Sequence, residues 1–161
     1  MFPPFEKKII NENNETITYL NERGVILKEF KFMHDSSMPQ WIEFPVKNKT
    51  DFENITFRLN PDSKDRYPDW KEVKKIYKNR EYPLGLIICG GYAFQRELLG
   101  MENLSFKYYD DPGLIEAITK YWYYFENAIC EHVIEELDID YVYIWEDMAF
   151  KNGPFVSPQI F

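Results

Sequence analysis

The 161 residues hold only two cysteines, Cys89 and Cys130, and neither belongs to a Cys-x-x-Cys pair. A disulfide framework or a cysteine-only zinc site is not expected on that count. Histidine is equally scarce. His34 and His132 stand alone, and His132, beside Cys130 and Glu131, reads as a surface or packed histidine rather than a metal ligand. No Ser-His-Asp pattern or Cys-His dyad is present. Positive charge is in deficit: 19 Lys and Arg face 27 Asp and Glu, a formal net charge of -8. That balance argues against general binding to nucleic acid or to anionic membranes. It says less about a small acidic ligand, because cations local to a pocket outweigh a screened total. No stretch approaches the ~18 apolar residues of a membrane span. The start, Met1-Phe2-Pro3-Pro4-Phe5-Glu6, lacks a basic segment followed by an apolar run, so the expected location is the cytoplasm.

What is present is apolar and aromatic. The chain is 45% hydrophobic and 18% aromatic, with 12 Tyr and 13 Phe, which is the composition of a globular domain with a real core. It reads as a single domain over 1–161, with a hairpin and loop region over 1–45 and βα units over 46–161. Neither an internal repeat nor a low-complexity linker interrupts it.

Thr16–Leu20 and Val25–Leu27 flank Asn21-Glu22-Arg23-Gly24, a turn whose glycine can take positive φ; residues 8–32 therefore read as an antiparallel hairpin. A loop is expected from Met33 to Gln40, then a short extended segment from Trp41 to Val46. Thr50-Asp51-Phe52-Glu53 has the form of a capping box and opens a helix to about Leu59. Asn60-Pro61-Asp62-Ser63 breaks it. A second helix, with Pro68 in its first turn and a lysine-rich outer face, runs to about Arg80.

Pro83–Cys89 is apolar at nearly every position, the pattern of a strand buried on both faces in a parallel sheet. Gly90-Gly91 and a helix from about Tyr92 to Leu99 follow, closed by Gly100. Asp111 as N-cap and Pro112 in the first turn open a long helix over 112–136. Its apolar residues recur at helical spacing from Leu114 through Ile118, Tyr121, Phe125 and Ile129 to Val133. Tyr141-Val142-Tyr143-Ile144-Trp145 reads as another buried strand, running into Glu146-Asp147 and a polar loop. Ser157-Pro158 announces a helix start, and the chain stops three residues later. Strand, helix and strand in that order are the grammar of a parallel α/β fold.

Strand ends are where such folds place their chemistry, so Gly90-Gly91-Tyr92 and Trp145-Glu146-Asp147 are the candidate site. Adjacent strand residues point to opposite faces. One of Glu146 and Asp147 can therefore serve as acid, base or ligand anchor while the other caps a helix or pairs with a cation. Alternatively, both satisfy backbone donors in the loop. Gly90-Gly91 before a helix can bring backbone N–H groups to an anion, or can simply let the chain turn sharply. Arg96, one helical turn beyond Tyr92, can hold a carboxylate in the pocket or pair with Glu97 or Glu102 on the surface.

Taken in order, several segments resemble the uroporphyrinogen decarboxylase superfamily, which includes corrinoid- and cobalamin-dependent methyltransferases. They are Phe44-Pro45-Val46-Lys47, Asp51-Phe52-Glu53, Pro83-Leu84-Gly85, the run from Gly90 to Glu102, Asp110-Asp111-Pro112, and the run from Trp145 to Pro154 with Ser157-Pro158. The resemblance spans about Ile9 to Phe161 and lies nearer a divergent branch than the true decarboxylases. It implies a partial (β/α) TIM-barrel-like fold with parallel strands, carrying an N-terminal β-hairpin. It also implies a tetrapyrrole or corrinoid substrate, undergoing decarboxylation or methyl transfer. Asp147 and Glu146 would then be catalytic, and Arg96, Tyr92, Gly90 and Gly91 would bind substrate.

A decarboxylase of this family needs no metal or organic cofactor; a methyltransferase would use a corrinoid as substrate or partner. The family's N-terminal arginine-bearing segment and early-strand aspartate are not in this sequence, nor is the methyltransferases' His-x-Cys zinc motif. A complete barrel takes ~250 residues. The chain is therefore expected to self-associate, as a homodimer or with a partner chain completing the barrel, unless the 16–27 hairpin folds back over one open edge. The alternative to an enzyme is a catalytically silent half-barrel or truncated fragment that acts through such association.

Overall fold

The computed structural model describes residues 1–32 and 37–160. His34 and part of the expected 33–40 loop lie outside them. The N-terminal third is an antiparallel sheet of four strands in the order β1 (Lys8–Glu12), β2 (Thr16–Leu20), β3 (Ile26–Phe30) and β4 (Gln40–Glu43). The expected hairpin is its centre, β2 with β3, where Thr16 pairs with Phe30 and Leu20 with Ile26. Asn21 builds the turn by accepting from the backbone N–H groups of Arg23 and Val25, and Gly24 takes φ 79°. Both outer strands carry a bulge and charged residues, the usual protection of a sheet edge.

Five α-helices follow among the described residues: α1 (Lys49–Ile55), α2 (Trp70–Tyr77), α3 (Gly91–Leu99), α4 (Met101–Asp110) and α5 (Pro112–Glu136). The capping box lies two residues upstream of the one read from sequence. Asn48 is the N-cap of α1 and accepts from Asp51 N, while Asp51 returns the bond by accepting from Lys47 N. Asparagine outranks threonine at this position. In α2 the cap is Asp69, so Pro68 precedes the helix rather than lying in its first turn.

Helix α4 is absent from the sequence reading. Gly100, with φ 74°, ends α3 as expected but is also the N-cap of the next helix. A side chain there would strike the ring of Phe44 as well as strain the backbone.

The core is helical. Tyr92, Leu98 and Leu99 of α3, Leu104 of α4, and Leu114 and Ile118 of α5 are almost fully buried, with Val46, Phe52 and Leu59 closing the cluster. Six of the nine residues of α3 are buried, making it the central element.

The two apolar runs do form parallel strands, β5 (Gly85–Cys89) and β6 (Tyr141–Trp145), in register from Gly85 with Tyr141 to Cys89 with Trp145. They are the only two strands of their sheet, and α3, α4 and α5 intervene between them. This arrangement corrects the expectation of a TIM-barrel-like fold. The chain is a mixed α/β structure with an antiparallel four-stranded sheet and one small parallel pair.

It also corrects the expected burial. All five residues of β6 are exposed, from 41% at Trp145 to 56% at Ile144, and Ile87 of β5 is 69% exposed. Parallel strands are buried on both faces only where crossover helices cover both. Here α3, α4 and α5 connect the pair yet leave β6 and Ile87 exposed, and a continuous apolar run therefore reports the strand but not its cover. The hairpin belongs to the other sheet and pairs with neither edge.

After β6, the loop turns through a two-residue hairpin, β7 (Ala149–Phe150) with β8 (Gly153–Pro154). Ser157-Pro158 opens a turn, with Ile160 N donating to the Ser157 carbonyl, and not a helix. No helix among the described residues is long and apolar enough to cross a membrane.

Candidate functional site at the carboxyl ends of the parallel strands

Gly90 N donates to the Trp145 carbonyl at 2.7 Å, so the parallel ladder runs one step past Cys89 before α3 begins. At that point Glu146 turns its carboxylate onto the start of the helix. Its oxygens accept from Tyr92 N at 3.0 Å, from Ala93 N at 2.9 Å and from Asp147 N at 3.1 Å. The helix terminus, with its unsatisfied N–H groups and positive dipole end, thus receives its anion from within the chain. Gly90 makes room for it, because a Cβ there would collide with the Glu146 carboxylate. The N–H groups that receive an anion at this helix start are those of Tyr92 and Ala93, and the anion is Glu146. Of the two adjacent acids, Glu146 takes the capping role.

Asp147 points the other way and pairs with Arg96, Oδ2 to Nη1 at 2.7 Å; the same nitrogen donates to the Asp147 carbonyl at 3.1 Å. Both bonds use Nη1. The guanidinium also lies over the Trp145 ring, 5.6 Å from its centroid. The Arg96 side chain is 21% exposed and that of Asp147 52%, so the pair sits at the surface of the strand end.

Beneath it lies Tyr92, fully buried, its ring stacked on Phe155 at 6.2 Å and 4°. The short β7–β8 hairpin supplies that lid: Phe155 N donates to the Met148 carbonyl, and Phe150 stacks on Phe155. Tyr92 Oη is buried without a hydrogen-bond partner among the described residues. Burial raises its pKa, Arg96 pulls it down, and Asp147 and Glu146 push it up. Gly90, Tyr92, Arg96, Glu146 and Asp147 are therefore brought to one end of the strand pair. Gly91 belongs to the other side, where Trp122 packs against its bare Cα.

The sequence reading gave no role to three groups that the fold withdraws from solvent: Gln95, which is buried, and Glu126 and Cys89, which are half-buried. Gln95 is 3% exposed and is held by Tyr108 and Thr119. The sequence marks it weakly, because Arg96 and Glu97 follow it directly and the three together read as a polar face. Glu126, within the apolar stripe of α5, is held up at about 6 by burial, against a hydrogen bond from the Cys89 backbone. Cys89 is pushed up to about 11, by burial first and then by Glu126 and other nearby acids. A thiol there stays protonated and is a poor nucleophile. His132 packs against the Tyr67 ring at 4.6 Å. Among the described residues, no cluster of His, Cys, Asp and Glu is arranged to hold a metal ion.

Comparison of the chain with protein-family models, curated proteins and solved structures gives no match.

Proposed function

We propose that the strand-end site binds a carboxylate of a tetrapyrrole or corrinoid, as the resemblance to the uroporphyrinogen decarboxylase superfamily implies, in a cytoplasmic protein with no nucleic-acid or membrane partner. The observation that carries this reading is the orphaned Tyr92 hydroxyl beside the Arg96–Asp147 pair. Leaving a buried hydroxyl unpaired costs ~1–3 kcal/mol, and an arriving acceptor recovers that cost.

With Phe155 drawn back from the Tyr92 ring it covers, an acetate or propionate side chain of the macrocycle would accept from Tyr92 O–H and from the Arg96 nitrogens that Asp147 does not use. Asp147, half exposed and adjoining the ligand, is the group available to orient it or to move a proton. Glu146 is spent on the helix and does not serve as acid or base. A single arginine fits one carboxylate rather than a polyanionic ring. Binding of the whole macrocycle would therefore rest on its flat face meeting the aromatic side chains of β6. A corrinoid would supply methyl-transfer chemistry when bound; this chain contributes only the carboxylate contact and the aromatic surface.

The test is an absorbance titration with uroporphyrin, an octacarboxylic tetrapyrrole, and in parallel with cobalamin. Saturable Soret or corrin-band changes that weaken at least tenfold in Arg96→Met are expected. Unchanged spectra for both ligands would refute the reading.

A second reading, association without catalysis, is favoured by the exposure of every β6 side chain. Five neighbouring large apolar residues on a strand with one open edge form the kind of patch that marks an interface. In this reading a second copy or a partner chain covers the open sheet.

A further inference from the structure

On the other side of α3 lies a groove of about 610 Å³, within the ~300–1,000 Å³ of small-molecule pockets. Ile115, Trp122 and Ile160 give it apolar walls, and Gln95, Tyr108 and Thr119 give it a polar floor. Its charged lining residues, Glu116 and Lys120, neutralise each other at 2.6 Å.

The floor has a definite hydrogen-bond direction. Thr119 spends its proton on the Ile115 carbonyl at 2.8 Å, so Thr119 Oγ1 must accept from Gln95. The Gln95 atom facing it, at 2.8 Å, is therefore the amide nitrogen. Its oxygen then faces Tyr108, whose hydroxyl must donate, at 2.6 Å. Burial holds that phenol up at about 12, which keeps it protonated for the role. Two capacities remain on groups that line the groove: a lone pair on Tyr108 Oη and the second N–H of Gln95 Nε2. An acceptor next to a donor is the complement of a ring amide, whose N–H gives to the phenol and whose C=O takes from the glutamine.

We propose that this groove binds an uncharged, flat heteroaromatic molecule through a ring-amide edge on Tyr108 and Gln95, with its ring between Trp122 and Ile115. Net charge is selected against, since Lys120 is paired with Glu116 and no other cation lines the groove among the described residues. The site is separate from the strand-end carboxylate site and does not depend on it.

The probe is 2-quinolone, compared with N-methyl-2-quinolone, which has the same ring system without the donor, and with 2-naphthoate, which is flat but charged. Amide chemical shifts in a two-dimensional NMR titration report the site. The expected result is saturable shifts confined to residues around 91–95, 108 and 115–122 on adding 2-quinolone. The N-methyl analogue should bind about tenfold more weakly, the loss of one hydrogen bond to a buried group, and 2-naphthoate more weakly than 2-quinolone. In Tyr108→Phe, checked for folding by circular dichroism, the two quinolones should bind alike. Absence of saturable shifts at these amides up to the solubility of 2-quinolone would overturn the proposal. Equal affinity of wild type for the two quinolones, or tighter binding of 2-naphthoate, would also overturn it. None of these outcomes bears on uroporphyrin or cobalamin binding, so the two readings fail separately.

Discussion

Glu146 stands where a side chain on Gly90 would have to go, and from there it closes the first turn of α3. The backbone at Gly90, φ -68° and ψ 161°, is open to any residue, so the demand for glycine is steric and not conformational. This contact joins the end of β6 to the central helix and fixes where Asp147 and Arg96 meet.

Gly90→Ala is expected to destabilise the fold by ~1–3 kcal/mol, the range for forcing an extra methyl into a packed site. Glu146→Ala should cost ~0.5–2 kcal/mol as a lost helix cap. The two are coupled: in the Glu146→Ala background the added methyl meets no carboxylate, so the double variant should be more stable than additivity gives. Urea unfolding of the four proteins measures this, and strict additivity would show that the carboxylate does not fill the glycine's space.

Arg96→Met should change stability by less than ~1 kcal/mol, because an ion pair this exposed contributes little. A larger loss in thermal unfolding would assign Arg96 a packing role on Trp145 beyond its charge.

Glu126 gives the chain a pH dependence in the acid range. Its carboxyl is held at about 6 by burial, above the 4.5 of an unperturbed glutamate. Between these values the folded state binds more protons than the unfolded state. This group's contribution to stability is therefore present below 4.5 and is lost as the pH rises through about 6. Replacing it with glutamine should remove that component. Chemical denaturation of wild type and Glu126→Gln from pH 4 to 7 should give curves that converge at the acid end. Parallel curves across the range would contradict the assignment.

The open strand β6 should make the chain associate. Sedimentation at micromolar concentration is expected to show a dimer, the commonest way of covering such a face being two-fold. Ile144→Lys should give a folded monomer, since Ile144 is 56% exposed and contributes little to the core. A wild-type monomer that persists on concentration and binds no hydrophobic dye would remove the case for association.

Local elements were largely legible in the sequence: the β2–β3 hairpin turn, the Asp111 cap, the whole of α5 and the parallel pairing of the two apolar runs each follow from residue pattern. Cover was not legible. Pro83–Cys89 and Tyr141–Trp145 have the composition of buried strands, but burial depends on what else packs there, and no periodicity within a strand carries that. The helix α4 was hidden because Gly100 signals a stop whether or not the chain restarts beyond it. At the site, the meeting of strand ends was readable from the α/β pattern. The division of labour between Glu146 and Asp147 was not, because it turns on the room left by Gly90. The relay through Gln95, Tyr108 and Thr119 joins three elements and leaves no spacing in the sequence.

The Tyr92 hydroxyl tests the central claim most directly, because its two expected effects have opposite signs. Tyr92→Phe removes a buried group that has no partner, so the free variant should unfold at the same or a higher temperature than wild type. With saturating uroporphyrin, the wild type should gain more in unfolding temperature than the variant, whose affinity should be about tenfold weaker for want of one hydrogen bond to the carboxylate. Thermal unfolding of both proteins with and without uroporphyrin supplies all four values. A free variant clearly less stable than wild type, or an equal ligand-induced gain in both proteins, would contradict the account.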